Sequence, residues 1–408
     1  MFQERVVIVG AGIVGLSTAY ALLKDGKHQV TVLEQEKVDH KRATSHGISR
    51  LLRFEYGEDA LYSEMVRLSL QRWKQLERHS RQTLYTQTGL LVLGTENDNF
   101  ALPSYKVMQD LDLPSEQLSR RHCKQRFPQF ALDATNFLTY NAQGGILHAS
   151  QCLQTLRDLI IEMGGQIYES CRVTYIESES HYRPLRIFCS TGNTGAGHDD
   201  TVRFAAERIV LATGPWVHRL LADLHLPVRL TRQYLLYFAG LPFSSFGIQT
   251  FPAFITNDLY GFPMHSFSGV SHGGGPVKPL LKAASHAFGT PIDPNDIQPP
   301  DERVVSQIAR RLRDLLPALQ QAQLAHVDAC MYDLTPDEDF ILDCLPSNPR
   351  IIFATGLSGH GFKFGLLLGE ILSSMICETT PPVALERFRL ARFSEFLRQQ
   401  QPKKISVT

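Results

Sequence analysis

The first 34 residues constrain the fold more than any other stretch of the chain. Arg5-Val6-Val7-Ile8-Val9 is a continuous β-branched run, the pattern of a parallel strand buried on both faces. Gly10-Ala11-Gly12-Ile13-Val14-Gly15 follows at once. Leu16 to Lys24 then reads as a helix, apolar at Leu16, Ala19, Tyr20 and Leu23, and Gly26 stands where a helix-ending glycine belongs. Gln29-Val30-Thr31-Val32-Leu33 is a second strand that ends at Glu34. This order is a dinucleotide-binding βαβ unit. Gly10 allows the tight turn, Gly12 lets backbone approach a pyrophosphate, and Gly15 lets the helix pack on the strand. The helix N-terminus offers free N–H groups and the positive end of its dipole to phosphates. The Glu34 carboxylate can accept ribose hydroxyls, and an acid in that place argues against a 2′-phosphate, hence against NADP.

Two later apolar runs read as further parallel strands. Arg208-Ile209-Val210-Leu211-Ala212 stops at Thr213-Gly214, and Arg350-Ile351-Ile352-Phe353-Ala354 stops at Thr355-Gly356. Such turns lie at the carboxyl ends of strands, where open α/β sheets bind ligands. The expected fold is α/β: a discontinuous Rossmann-type dinucleotide-binding domain (1–85, 149–220 and 326–408) and a second, mostly antiparallel-sheet substrate domain (86–148 and 221–325). Residues 86–94 read as a strand pair with a turn. Helices are expected at about 59–79, 149–164, 301–322 and 364–376.

Composition narrows the partners. Lys+Arg and Asp+Glu are both 41, so the formal net charge is zero, and the basic excess that nucleic acid or an anionic membrane calls for is absent. No apolar run reaches the roughly 18–20 residues of a spanning helix, and the N-terminus lacks the basic start and cleavage site of a signal peptide. Seven cysteines without a CxxC pair make no disulfide or zinc framework. The expectation is a cytoplasmic monomer whose partners are small molecules, with no nucleic acid, membrane or metal.

Thr44-Ser45-His46-Gly47-Ile48-Ser49-Arg50-Leu51-Leu52-Arg53 replaces the regular βα repeat expected after a nicotinamide-binding unit. A glycine-containing loop with spaced arginines suits a second contact with a long dinucleotide, or else is a solvated polar loop. Five segments then carry a resemblance. They are Ser45-His46-Gly47-x-x-Arg50-x-x-Arg53; Tyr56-Gly57-Glu58; Tyr260-Gly261-Phe262-Pro263; Cys330-Met331-Tyr332-x-x-Thr335-Pro336-Asp337-Glu338; and Gly359-His360-Gly361-Phe362-Lys363-Phe364. In this order and nearly end to end, the chain resembles the monomeric sarcosine oxidase family of D-amino-acid-oxidase-like FAD flavoproteins.

The resemblance implies specific roles. Cys330 would hold the flavin through a thioether to its 8α-methyl, while Cys344 stays free. The loop with Gly359 and Gly361 would face the pyrimidine end of the flavin, where charge develops on reduction. Arg50 and Ser45 would contact the cofactor. Arg53 and Lys363 would anchor a substrate carboxylate, Arg by paired hydrogen bonds and Lys by a second charge. His46, Tyr260, His286 and Tyr332 would line the substrate cavity, and Lys282 would activate oxygen as a fixed cation. Residues 264–279 form a segment about eleven residues longer than the family leads one to expect, in a position to cap or widen the cavity.

The implied activity is oxidation of the C–N bond of a secondary or cyclic amino acid to an imine, with O2 reduced to H2O2. A flavin dehydrogenase passing electrons to a quinone or protein is the alternative within enzymes. A non-catalytic flavin-binding subunit is the alternative outside them, and it predicts degraded substrate positions.

Overall fold

The computed structural model describes residues 3–177, 184–191, 201–265, 279–287, 289–296 and 298–396. A six-stranded sheet forms the nucleotide-binding half. Its order is Ile341–Leu345, Asn348–Thr355, Arg208–Leu211, Glu4–Val9, His28–Leu33, Gln166–Tyr168. All pairs are parallel except the first, so the start, middle and end of the chain meet in one sheet, as expected. The expected Leu16–Lys24 helix begins earlier and runs Ile13–Leu23, because the glycine turn itself leads into its first turn. Gly10 has φ +105°, and a Cβ on Gly15 would lie 1.9 Å from the Gly10 carbonyl oxygen. Strand and helix therefore approach only because neither glycine has a side chain.

The helix Gly365–Ile376 crosses Ile13–Leu23 in the same manner: a Cβ on Gly365 would meet Ile13, and one on Gly369 would meet Ser17. Helices Ala60–Ser80 and Ala149–Glu162 complete this layer close to their expected bounds.

An eight-stranded sheet, antiparallel at all but one pairing, forms the second half. Its order is Gln323–Leu334, Arg229–Ala239, Leu281–Ser285, Leu259–Phe262, Ala253–Ile255, Leu90–Gly94, Phe137–Asn141, Glu116–Gln117. The strand Gln323–Leu334 spans residue 326 and belongs wholly to this sheet, so the chain returns to the nucleotide-binding sheet only after Leu334.

Two expectations need correction. Residues 86–94 are not a strand pair: Tyr85–Thr86 pairs with Gly145–Leu147, whereas Leu90–Gly94 pairs with Phe137–Asn141 in the large sheet. Gly89, at φ +72°, turns the chain between the two sheets. The helix expected at 301–322 stops at Leu315, and Pro317 opens a separate 3-10 turn, since proline cannot continue the hydrogen-bond ladder. Most of the long 264–279 segment, Lys278 included, lies outside the described residues.

Candidate active site

The carboxyl ends of the parallel strands open into two adjoining spaces. The smaller, about 110 Å³, is lined by Gly10, Gly12, Glu34 and Ser45, with the Thr213-Gly214 turn opposite. Ser45 Oγ accepts the Ile13 amide at 3.0 Å, so it sits on the first turn of the glycine-loop helix. Glu34 is 5% exposed; its carboxylate accepts the amides of Ala11 (2.8 Å) and Glu36 (3.0 Å). Burial pushes its pKa up, while the Ala11 amide and neighbouring His40 oppose that. The placement fits a ribose acceptor at the end of the second strand. His40 and Trp216 also wall this space, and both escaped the sequence reading. Trp216 directly follows the Thr213-Gly214-Pro215 turn, a signal that was present.

The larger space, about 430 Å³, lies between the two sheets. It shares Ile13, Thr44, Ser45, Asp333 and Leu357 with the smaller one. Together they make one trough that runs from the glycine turn past the Ser45–Arg50 loop to Gly359 and Lys363. Arg50, Arg53, Tyr260, Lys282, His286, Cys330, Tyr332, Gly359, Gly361 and Lys363, singled out from the sequence, all line it. They come from five separate parts of the chain.

His46 does not join them. Its Nδ1 bonds to the Asp39 carbonyl (2.9 Å) and carboxylate (2.8 Å), and the ring stands away from the cavity. Asp39, at φ +64°, turns both acceptors onto the imidazole. The expectation of a cavity histidine at 46 is corrected on this geometry. What His46 gives the site is its carbonyl, which accepts from Arg50 Nη2 at 2.5 Å. Arg50 also donates to Thr44 O (2.8 Å) and Ser49 O (3.0 Å), so its guanidinium clamps the loop that borders both spaces.

Arg53 and Lys363 stand together. The Arg53 guanidinium carbon lies 4.2 Å over the Tyr56 ring, and its Nη1 is buried without a hydrogen-bond partner. Lys363, 4% exposed, donates to Tyr56 Oη at 2.6 Å and to His360 O at 2.8 Å. Burial first, then the Arg53 charge, pushes the Lys363 ammonium well below its usual pKa. Among the described residues no carboxylate forms an ion pair within 4 Å of either cation, although the Arg53 charge reaches the carboxylates of Glu55 and Glu338. A ligand carboxylate would give the two cations a direct partner.

Lys282, 2% exposed, sits on strand Leu281–Ser285 and donates to Ser49 O at 2.8 Å. Burial, with Arg50 next, lowers its pKa to about 7. Cys330 lies on the edge strand Gln323–Leu334, separated from the Lys282 strand by Arg229–Ala239; burial raises its thiol pKa, opposed by the charges of Arg50 and Lys282. Cys344 lies on the outer strand of the parallel sheet, away from both spaces. Burial raises Tyr260 to about 12 and holds Tyr332 well above its usual value, and it lowers His286, with the Arg53 charge adding to that effect.

Gly359, at φ +75°, packs so close to Tyr332 that a Cβ would lie 2.4 Å from its ring. The preceding amides, Leu357 and Ser358, donate to the Asp333 side chain and carbonyl. Asp333, pushed up to about 6 by burial, was missed by the sequence reading, as were Tyr56, Ser49 and His360. Tyr56 and His360 lay inside motif segments, but nothing local marked them as supports for Lys363.

Comparison with known proteins agrees with this architecture. The mouse (Mus musculus) peroxisomal sarcosine oxidase is 34% identical over 402 residues, covering 95% of this chain and 96% of that protein. The N-methyl-L-tryptophan oxidase of Yersinia pestis is 29% identical, covering 95% and 98%. Among solved structures, the open form of NikD, an amino acid oxidase of nikkomycin biosynthesis, superposes with a TM-score of 0.76 at 21% identity, covering 95% of this chain and 98% of that one. The L-proline dehydrogenase of P. horikoshii gives 0.77 at 18% identity, covering 97% and 98%. Residues 5–375, nearly the whole chain and both walls of the cavity, match the FAD dependent oxidoreductase family, and the chain belongs to it.

Proposed function

We propose that this protein oxidises the C–N bond of a secondary or cyclic amino acid, with FAD linked through Cys330 and O2 as electron acceptor. The observation that carries the reading is the Arg53–Lys363 pair: a buried lysine beside a half-buried arginine whose Nη1 is buried and unpartnered, in the wall of one cavity. That pair suits a carboxylate. The relatives named for N-methylated amino acids support the choice of an N-substituted substrate.

FAD, when bound, supplies the two-electron acceptor for the C–N bond. The residues of the chain orient the substrate and manage charge. Arg53 and Lys363 fix the carboxylate, which removes rotational freedom and turns an encounter into an oriented reaction. The amine must react in its neutral form. His286, whose pKa burial and Arg53 depress, lies beside Tyr260 in the cavity wall and is placed to take that proton. Lys282, held by the Ser49 carbonyl, places a positive charge where oxygen gains electrons. Cys330 faces the same space from the edge strand, as a thioether link to the ring system requires. The division into an FAD-binding and a substrate domain, a monomeric state and a cytoplasmic setting belong to the same proposal. No helix among the described residues is long and apolar enough to cross a membrane.

A peroxide-coupled screen of N-alkyl and cyclic amino acids tests the reading. Turnover with peroxide release is expected for at least one class. Turnover seen only with an added quinone acceptor would replace the oxidase by a dehydrogenase.

A further inference from the structure

At the other end of the parallel sheet, away from the cavity, three metal-ligating side chains converge on one imidazole. His28 opens the strand His28–Leu33, and its side chain is only 6% exposed. Asp25 comes from the turn before it, Glu4 from the start of the adjacent strand Glu4–Val9, and Cys377 from the C-terminal cap of helix Gly365–Ile376. One ligand atom each from Asp25, His28 and Cys377 lies within 4.8 Å of the others. Cys377 Sγ is 3.9 Å from His28 Nε2, and Glu4 Oε2 is 3.6 Å from the same nitrogen.

We propose that this cluster is a divalent transition-metal site that takes Zn²⁺ through His28 Nε2, Cys377 Sγ and Glu4 Oε2. Zinc bonds of about 2.3 Å to sulfur and about 2.0–2.2 Å to nitrogen and oxygen, at tetrahedral angles, separate the ligand atoms by roughly 3.3–3.6 Å. The Cys377–His28 and Glu4–His28 spacings need to close by only a few tenths of an ångström, and the Glu4 carboxylate, which is not among the three groups whose ligand atoms lie within 4.8 Å of one another, must also swing toward Cys377. The second ring nitrogen, Nδ1, faces Asp25 Oδ1 at 3.3 Å. This is the carboxylate–histidine pairing that fixes the tautomer and leaves the other nitrogen free for a metal. Arg208 occupies the other oxygen of Glu4 at 3.1 Å, which favours monodentate ligation by Oε2. Water completes the fourth position. Binding breaks the Cys377 S–H bond, forms a Zn–S bond and releases the proton to solvent.

The thiol and imidazole make the site selective. Two carboxylates alone would suit Mg²⁺ or Ca²⁺ equally, whereas a thiolate with an imidazole favours Zn²⁺ and Co²⁺. The metal would join the end of one helix to the first two strands of the sheet, so its effect falls on stability rather than on the remote cavity.

The test uses the purified flavin-loaded protein after dialysis against a chelator. Titration with Co²⁺ should give one equivalent of binding, with tetrahedral ligand-field bands and a thiolate-to-cobalt charge-transfer band that Zn²⁺ abolishes. Cys377→Ser should lose the charge-transfer band, and His28→Gln should weaken Zn²⁺ binding at least tenfold. Asp25→Asn, which keeps the shape of the cluster, should weaken it about 10–100-fold if Asp25 orients the imidazole. Cys344→Ser should behave as wild type. Bound Zn²⁺ should also shield Cys377 from alkylation. Absence of the charge-transfer band in wild type, its survival in Cys377→Ser, or equal Zn²⁺ affinity in wild type and Asp25→Asn would overturn the proposal.

Discussion

Replacing Lys363 by Met removes one of two cations from the proposed carboxylate dock while keeping the length of the side chain. Lys363 is 4% exposed, so solvent cannot fill in for the lost charge. Its backbone should stay in place, because Trp73 Nε1 donates to the Lys363 carbonyl at 2.8 Å. Truncating one side of a buried, hydrogen-bonded charge pair costs about 2–5 kcal/mol. At 1.4 kcal/mol per tenfold, carboxylate affinity should fall between about 30-fold and several thousand-fold. Arg53→Met should fall in the same range, since its buried Nη1 has no other partner. The assay is the Kd of a non-reacting carboxylate, read from perturbation of the flavin absorbance.

A pH signature accompanies it. Burial and Arg53 depress the Lys363 pKa in the free protein, and a bound carboxylate raises it again. Binding therefore takes up a proton, and affinity should weaken as pH rises in wild type but not, through this group, in Lys363→Met. Simple amines lacking a carboxylate should lose little. Equal losses for carboxylates and simple amines would refute the docking argument and assign both residues to cofactor support.

Three further outcomes are expected. Acid-precipitated wild type should keep its yellow colour, Cys330→Ser should release the flavin and Cys344→Ser should not; a colourless wild-type precipitate would remove the covalent link. Lys282→Met should slow reoxidation by oxygen by about 100–1,000-fold, the scale for removing one preorganised charge stabiliser, while anaerobic reduction by substrate, followed by stopped flow, changes far less. His265, 2% exposed and bonded through Nε2 to Ser49 Oγ at 2.8 Å, has its pKa lowered to about 3, chiefly by burial. The unfolded chain binds that proton near pH 6.5 and the folded one does not, so stability falls with acid by about 1.4 kcal/mol per pH unit below that point. Chemical denaturation at pH 7 and pH 5 should show a smaller acid loss in His265→Gln, and an identical loss would refute the assignment.

The parts legible in sequence were those with local causes. Val6 to Val9, the glycine turn and Glu34 announce their geometry within one βαβ unit, because each glycine is demanded by its immediate neighbours. The strands at 208 and 350 were legible from their apolar runs and Thr-Gly ends. The partnership of Arg53 with Lys363 was not legible from spacing, since it is made by the crossing of two distant segments; only the family resemblance joined them. His46 went wrong because a side chain's direction depends on what its ring can bond, and Asp39 offers two acceptors at once. Ser49 was invisible as a support for Lys282 because its contribution is a backbone carbonyl, which every residue carries. The strand pair expected at 86–94 failed for a related reason: alternation reports strands but does not say which sheet each will join.

Anaerobic mixing with an N-alkyl amino acid, followed by admission of oxygen, tests the central claim most directly. The flavin absorbance should bleach under anaerobic conditions and return on aeration, with one H2O2 released per flavin. A simple amine without a carboxylate should bleach it far more slowly. Flavin that stays oxidised across a panel of N-alkyl and cyclic amino acids would contradict the assigned chemistry. Flavin that bleaches but is not restored by oxygen would contradict the oxidase.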